Sequence, residues 1–348
     1  MSALDYTNFG RPGQVNAAGA TDAMFLELFS GEVLASFERA TILQGKVRER
    51  TISGQKSASF PMIGRASTTG YHAAGTEITP SSIAHNEQVI SIDGLMYAST
   101  FVDDFEDMLN HYEVRSAYAK ELGATLGYTY DQHLLRKLIL TARDANKLVS
   151  VDGTQKPASA GDNQITSGDF QLDGGRDLLA GGASTVAAKA RALSEAIFAA
   201  QEKFDNAFVP ETDEKICILR PKDYYDLLSA SQDSGFSVIN RDYDGAGSYA
   251  DGTVLKIGGV TILKSPNVPS TNVSQSGAAT GIDYYHYGDF SKTVGVIFSA
   301  DAIGVVRLLG LGVQTDYQVE RQGTLMVARQ SVGIGSLRPE CAIELNIT

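Results

Sequence analysis

The longest helical pattern in the chain runs from Asp103 to about Asn146, a stretch without proline. Small or apolar residues recur along it at steps of three and four, which places them on one face of a helix. They are Phe105, Met108, Tyr112, Ala119, Leu122, Leu126, Tyr130, Leu134 and Leu138. Asp103 and Asp104 suit the N-terminal end of the helix dipole, and Arg143 suits the other end. At about 1.5 Å per residue, about 40 residues form a rod of roughly 60 Å. The pattern therefore predicts a beam that spans the subunit.

The segment before this helix predicts a long β-hairpin. Residues 46–52, KVRERTI, alternate in polarity, and a Gly/Ser/Thr-rich tip separates SASFPMIGR from the return strand QVISIDGLMYASTFV. Asp93–Gly94 interrupts the return strand, and Leu95, Tyr97 and Phe101 resume on a shifted register, which is typical of a β-bulge. A two-stranded hairpin alone is marginal in water. We therefore expect the long helix or a neighbouring subunit to cover it.

The chain after the helix mixes helices and strands. A helix is predicted at about 186–204, and its apolar stripe is Ala190, Leu193, Ile197, Ala200 and Phe204. A buried strand is predicted at KICIL, a helix from Pro221 and a hairpin about Gly258–Gly259. From Tyr284 onward the pattern predicts mostly strands: YYHYG, TVGVIFS, GVVRLL, VQTDYQVER, GTLMVARQSVG and CAIELNI. Turn-rich stretches at 150–185, 232–252 and 267–281 predict exposed loops. This order indicates an α+β protein rather than alternating βαβ units.

Composition excludes several classes of protein. The 348 residues carry a net charge of −12 with a pI of about 4.9, so the basic footprint of a protein that tracks a nucleic-acid backbone is missing. Two cysteines, Cys217 and Cys341, cannot form a disulfide framework and fit a reducing compartment. No run of 18 apolar residues and no secretory h-region is visible, so we expect no membrane contact and synthesis in the cytoplasm.

The motifs for catalysis or metal binding are incomplete. His111 lies one helical turn after Asp107, but no third ligand accompanies them. Asp242, Asp244 and Asp251 lack the spacing of a calcium loop, and Cys217 reads as a small core residue. No nucleotide-binding loop or nucleophile elbow is present. We therefore predict no enzyme, and no catalytic, cofactor-binding or metal-binding residue.

Two oppositely charged segments say more about function than these incomplete motifs do. Between residues 46 and 66 the hairpin carries Lys46, Arg48, Arg50, Lys56 and Arg65 against Glu49, a net charge of +4. Between residues 103 and 121 the helix carries Asp103, Asp104, Glu106, Asp107, Glu113 and Glu121 against Arg115 and Lys120, a net charge of −4. If these surfaces meet between copies, the contact is heterologous and builds rings or lattices. Two solvated faces, or a contact within one chain, explain the same charges.

Six stretches of the sequence are informative together: AMFLELFSGEVLASFERA (23–40), SGQKSASFPMIGR (53–65), VISIDGL (89–95), DFEDMLNHYEVRSAYAKELG (104–123), AFVPETDEKICILRPKDYYDLL (207–228) and GSLRPECAI (335–343). In this order they resemble the major capsid protein of tailed phages with the Hong Kong 97-type fold, in the short-tailed, T7-like (autographivirus) branch. They spread over nearly the whole chain, while no single motif is diagnostic.

The resemblance implies a domain organisation. It comprises an N-arm (1–45), an E-loop hairpin (46–102), a P domain with the spine helix and the loop after it (103–185), an A domain (186–315), P-domain return strands (316–335) and a final A-domain strand (336–348). The two charged segments then become inter-subunit contacts. The expected contact residues are Lys46, Arg48, Arg50, Lys56, Phe60 and Arg65 of the E-loop, and Asp104, Glu106, Asp107 and Glu113 of the spine helix.

The resemblance also implies function and partners. Such a subunit forms hexamers and pentamers of an icosahedral shell around double-stranded DNA, without sequence-specific binding. It assembles in the host cytoplasm with a scaffolding protein and a portal at one vertex, and ends in the virion. A decoration protein is a further candidate partner, and no covalent cross-link is predicted. The alternatives are the shell protein of an encapsulin-type cellular nanocompartment, which would carry an enzyme cargo, and a hydrolase.

Overall fold

The computed structural model describes ten parts of the chain. They are Ala35, Phe37 and residues 41–63, 71–77, 85–104, 114–144, 164–166, 186–229, 256–273 and 286–346. The described residues group into two compact units. The first takes its residues from 1–44, 93–130 and 307–332, and the second from 45–92, 131–306 and 333–348.

The predicted long helix is present as α1, Val114–Arg143. Its stripe is buried as expected, with Ala119, Tyr130, Leu134 and Leu138 at 0% exposure. The start and the end of the helix differ from the prediction, and its first part cannot be compared with it. Asp103 ends a strand, so the helical conformation begins at Asp104 rather than Asp103. Residues 105–113, including Phe105, Met108 and Tyr112, lie outside the described residues. The helix ends at Arg143, slightly before the expected Asn146.

The first unit contains most of an antiparallel sheet. Strands β4 (Gly94–Asp103), β12 (Ile303–Gln318) and β13 (Gly323–Ser336) lie in the order β12-β13-β4. β4 and β13 pair over ten residues, from Gly94↔Val332 to Asp103↔Gly323. A 3-10 turn, Val319–Arg321, joins β12 to β13. Two of the expected strands, GVVRLL and VQTDYQVER, are therefore parts of one long strand, β12, with the turn at its end.

The expected single hairpin over 46–102 is wrong in two respects. Its strands are β1 (Arg48–Thr51), β2 (Ser57–Ile63) and β3 (His85–Ser91), and only β2 and β3 pair with each other. β1 instead lies beside β12, whose residues up to Val306 belong to the same unit. After Ser91 the chain leaves β3 and enters β4, which pairs with β13. Asp93–Gly94 is thus the point where the chain changes sheets, not a bulge within one hairpin.

The second unit is built on a six-stranded mixed sheet in the order β5-β14-β11-β6-β8-β7. Its strands are β5 (Gln164–Thr166), β6 (Lys215–Leu219), β7 (Lys256–Ile257), β8 (Val260–Lys264), β11 (Thr293–Ser299) and β14 (Ala342–Asn346). β6 and β11 are buried along their whole length, as central strands covered on both faces should be. The last strand of the chain, β14, pairs with β11.

Two helices pack against each other beside this sheet, α2 (Val186–Asn206) and α3 (Pro221–Ser229). The predicted stripe of α2 is buried, with Ile197, Ala200 and Phe204 at 0% exposure. Pro221 begins α3 as predicted. Gly258 and Gly259 form the β7–β8 turn at φ values of +56° and +83°, a region that glycine tolerates best.

The prediction of a strand over YYHYG (284–288) is wrong for residues 286 and 287, which the structure describes as non-strand. His286 has a φ of +63°, which ends extended structure, and only Gly288–Asp289 (β10) pairs, with Asn272–Val273 (β9). Tyr284 and Tyr285 lie outside the described residues, as do most of the expected loops 150–185, 232–252 and 267–281. The domain boundaries implied by the resemblance stay predictions.

Candidate inter-subunit surfaces

The two arginines of β1 are exposed but hold partners in their own chain. Arg48 Nε lies 2.5 Å from Asp301 Oδ1, with 58% of the Arg48 side chain exposed. Arg50 Nη1 donates a hydrogen bond of 2.7 Å to the Ser59 carbonyl oxygen. Exposed pairs of this kind contribute about 0–1 kcal/mol to stability. The arginines are thus oriented by their own chain while their positive charge still faces solvent.

The two lysines of the segment have different surroundings. Lys46 is half-buried, and this burial lowers its pKa, while the negative charges of Glu214 and Asp131 oppose the shift. Acids of its own chain therefore attract its charge, an interaction that the sequence did not indicate. Lys56 is exposed, and its backbone carbonyl accepts a hydrogen bond of 3.0 Å from the Ile92 N–H.

The β2–β3 hairpin lies on its own chain. Phe60 is half-buried and lies on the same face of β2 as the buried residues Ala58 and Met62. This face covers a cluster completed by Ile90 of β3, Val306 of β12 and Leu337. The support that the hairpin needs thus comes from β12 and the segment after β13. Arg65 lies outside the described residues.

The opposite face of the same hairpin is open. Ser59 pairs with Val89 and Pro61 with Glu87, so these four side chains share one face. Val89 is 57% exposed, and Pro61 and Glu87 are also exposed. This face presents apolar groups with one negative charge to solvent.

Asp104 is the one predicted contact residue of the spine segment that is described. It is half-buried, accepts a hydrogen bond of 2.9 Å from the Tyr317 hydroxyl, and donates its N–H to the Gln322 carbonyl oxygen at 3.1 Å. These bonds connect it to the β12–β13 turn. Glu106, Asp107 and Glu113 lie outside the described residues. Asp104 belongs to the first unit of the chain, and the basic residues belong to the second. The expected pairing of Asp104 with the basic residues of another copy stays a prediction.

β4 presents a row of apolar side chains to solvent. Leu95, Tyr97 and Phe101 are 54%, 69% and 38% exposed, while the alternate residue Val102 is buried. Across the strand pair, Tyr97 lies opposite Arg329 and Phe101 opposite Leu325. Their steps of two residues indicated one face of a strand, but did not show which face is buried. An exposed apolar sheet face is a common mark of a protein–protein surface.

A charged network missed by sequence reasoning fixes the end of α1. Arg143 donates to both carboxylate oxygens of Glu344, at 2.8 and 2.7 Å, and to the Asp289 carbonyl at 2.7 Å. Thr293 Oγ1 donates to the same carboxylate at 2.6 Å. The hydrogen bond with Glu344 raises the pKa of Arg143, and Glu344 is fully buried. The basic helix end was a signal for Arg143, but nothing in the strand pattern of CAIELNI marked Glu344 as its partner.

The described residues offer no chemical constellation that resembles an active site. Burial raises the pKa of the Cys217 thiol, and chiefly burial raises that of Cys341 to about 12, so both thiols are poor nucleophiles. Within the described ranges no group of three or more His, Cys, Asp or Glu could hold a metal ion. His111, Asp107, Asp242, Asp244 and Asp251 lie outside them. None of the described helices is long and apolar enough to cross a membrane.

This chain is similar to shell proteins of phages. The model of the family described as Gp10A-like major capsid protein matches residues 59–346. The major capsid protein of Escherichia phage T7 is 29% identical over 349 aligned residues, covering 97% of this chain and 94% of that protein. The major capsid protein of Enterobacteria phage T3 is 26% identical, covering 95% and 93%. A chain from the capsid structure of cyanophage P-SCSP1u is 36% identical, with a TM-score of 0.70, over 98% of this chain and 99% of that one.

Proposed function

This chain belongs to the Gp10A-like major capsid protein family, and from that premise we propose that it forms hexamers and pentamers of an icosahedral shell around double-stranded DNA. The observation that carries the proposal is the 36% identity to a cyanophage capsid chain over nearly the full length of both chains. The chain is a structural protein with the Hong Kong 97-type α+β fold and not an enzyme. Its place is the virion.

The encapsulin alternative is less favoured. Structural similarity at low sequence identity shows the fold alone, and nanocompartment shells share this fold. The relatives that match in sequence over nearly the full chain are phage capsid proteins. The hydrolase alternative predicts turnover by the isolated subunit and has no supporting motif.

The partners belong to the same proposal. We infer assembly in the host cytoplasm around a scaffolding protein, with a portal at one vertex and with a decoration protein as a further candidate. The net charge of −12 suits a wall that encloses DNA without adhering to it. Expression of the chain with and without the scaffolding protein of its own genome, followed by gradient sedimentation and negative-stain microscopy, tests this. Closed shells that require the scaffold support the proposal; unassembled or amorphous protein in both cases contradicts it.

The E-loop contact between copies is a finer proposal. We propose that Arg48 and Arg50, with Lys56 and Phe60, meet the acidic spine segment of a second copy. We expect Arg48→Glu with Arg50→Glu to leave the subunit soluble and to stop shell formation, because like charges would then face each other. Arg48 also bridges Asp301 of its own chain, so loss of shells alone is ambiguous.

Asp301→Asn is the matched control for this test. It removes the bridge within the chain and leaves the arginine charges in place. Shells from Asp301→Asn and none from the arginine pair support a contact between copies. Equal loss of shells in Asp301→Asn and in the arginine double variant assigns the effect to the Arg48–Asp301 bridge within the chain. Normal shells from the arginine double variant refute the charge contact between copies.

A further inference from the structure

The two ends of strands β6 and β8 carry different surface groups. These strands are parallel, with Ile216 beside Thr261 and Leu219 beside Lys264. At about 3.3 Å per residue, β6 alone separates its two ends by about 13 Å. Side chains around Lys215 therefore lie at one end of the pair, and side chains around Leu219 and Lys264 at the other.

The first end is acidic and aromatic. Its exposed acidic and aromatic members, here called the acidic end, are Phe198, Glu202, Asp205, Phe208, Glu211 and Glu214, and exposed Lys256 lies near them. Phe198 and Phe208 are 57% and 55% exposed, a large apolar area to leave in water. Asp205 Oδ1 lies 3.6 Å from Lys215 Nζ, and Thr261 Oγ1 donates to Glu214 Oε1 at 3.4 Å. These contacts place α2, the segment before β6 and the start of β8 at this end.

Phe198 is held in place although its ring is exposed. A side chain added at Gly258 would come within 3.0 Å of the ring, so the ring lies directly on the β7–β8 turn. One helical turn later, Gln201 Nε2 donates to the Gly258 carbonyl at 2.8 Å and Gln201 Oε1 accepts from Lys215 Nζ at 2.8 Å. The aromatic group is thus preorganised, which lowers the entropy lost when it enters an interface.

The other end is basic and aromatic. Its exposed cationic and aromatic members, here called the lysine end, are Lys222, Tyr225 and Lys264, and the half-buried Asp223 and Asp226 lie on the same helix as Lys222. Lys264 Nζ donates to the Tyr225 hydroxyl at 2.7 Å and lies 4.6 Å from the centre of the Tyr225 ring. Tyr225 is 49% exposed and stacks edge-on against buried Tyr224. This end presents positive charge beside an exposed aromatic ring.

We propose that the acidic end of one copy docks against the lysine end of a second copy. The charges are complementary, and both ends carry the aromatic groups that are enriched in interfaces. Because the two ends lie at opposite ends of the same strands, the contact is head-to-tail and repeats from copy to copy, as a ring requires. The inference rests on the proposed shell function and adds the surfaces through which neighbouring subunits recognise each other.

Charge reversal on each side tests the contact. Lys222→Glu with Lys264→Glu, and separately Glu202→Lys with Glu211→Lys, should each lower the yield of closed shells about tenfold or more, since like charges then face each other. Combining all four substitutions should restore shells, because the complementarity is re-formed in the opposite sense. Thermal unfolding of each unassembled variant should stay close to that of the wild type, since all four residues are exposed.

Lys256→Glu is the matched control. Lys256 is exposed on β7 near the acidic end, so the same substitution there leaves the proposed complementarity intact and should leave shell yield unchanged.

Wild-type shells treated with a zero-length carbodiimide should also yield cross-links from Lys222 or Lys264 to Glu202 or Glu211. Mixed isotope-labelled shells would show that these links join two copies.

The outcomes separate this contact from the proposed function. Wild-type shells together with normal shells from both reversal pairs overturn the contact and leave the shell function standing. A fourfold variant that assembles no better than either pair also overturns it, as does a carbodiimide map that contains links between copies but none joining the two ends. If the wild type forms no shells with its scaffold, the function and the contact fail together.

Discussion

At the scale of single residues, the ion pair between Arg143 and Glu344 is the strongest candidate for a stabilising polar contact. Glu344 is fully buried, whereas the Arg143 side chain is 23% exposed. Arg143→Met removes the guanidinium that bonds both oxygens of a buried carboxylate, and we expect a loss of about 3–5 kcal/mol in the free energy of unfolding. Glu344→Gln leaves a charge that water can reach, so its loss should be smaller.

Urea unfolding of the unassembled subunit measures both variants. Lys292→Met, at an exposed lysine, is the control and should change the free energy of unfolding by less than about 0.5 kcal/mol. A smaller loss for Arg143→Met than for Glu344→Gln would contradict the assignment of Glu344 as the more deeply buried charge.

The two cysteines give a second prediction at this scale. Cys217 and Cys341 are buried at 0% and 3% exposure, and burial raises the pKa of both thiols. Because the thiolate is the reactive form, a thiol reagent at pH 8 should label neither cysteine of the folded subunit. Both should react once the chain is unfolded in urea. Labelling of the native protein at the rate of a free thiol would refute the burial of the labelled residue.

At the scale of elements, the passage from β3 to β4 depends on a glycine in β13. A methyl group at Gly333 would overlap the carbonyl oxygen of Ser91, a backbone atom that cannot rotate away. Gly333→Ala should therefore lower the free energy of unfolding by about 1–3 kcal/mol or more. Gly310→Ala in the neighbouring strand β12 is the matched control, since nothing lies within 4 Å of the added carbon. Equal thermal stability of the two variants would contradict the close approach of Gly333 to the backbone of Ser91.

The same passage shows what sequence patterns predict and what they miss. The described part of the α1 stripe, the α2 stripe, the start of α3 at Pro221 and the glycine turn at Gly258 are local features, and each was predicted correctly. The partner of β4 is not local, because β13 lies more than two hundred residues further along the chain. The pattern around Asp93–Gly94 therefore showed a break in a strand but not that the chain changes sheets there.

At the scale of the whole molecule, fold and function followed from motifs spread along the chain, and the family match over residues 59–346 agrees with them. The contact residues are harder to predict, because one chain uses some charges internally. The negative charges of Glu214 and Asp131 act on Lys46, and Arg48 pairs with Asp301. A count of charge cannot separate such contacts from those between copies, since both require the same opposite signs.

The shell itself provides the most direct test of the account. Particles purified after expression of this chain with its scaffolding protein can be reconstructed by cryo-electron microscopy with the symmetry left free. We predict icosahedral shells in which this chain alone fills pentamers at the vertices and hexamers between them. Particles without icosahedral order, or shells whose hexamers and pentamers are built from another protein, would contradict the central claim.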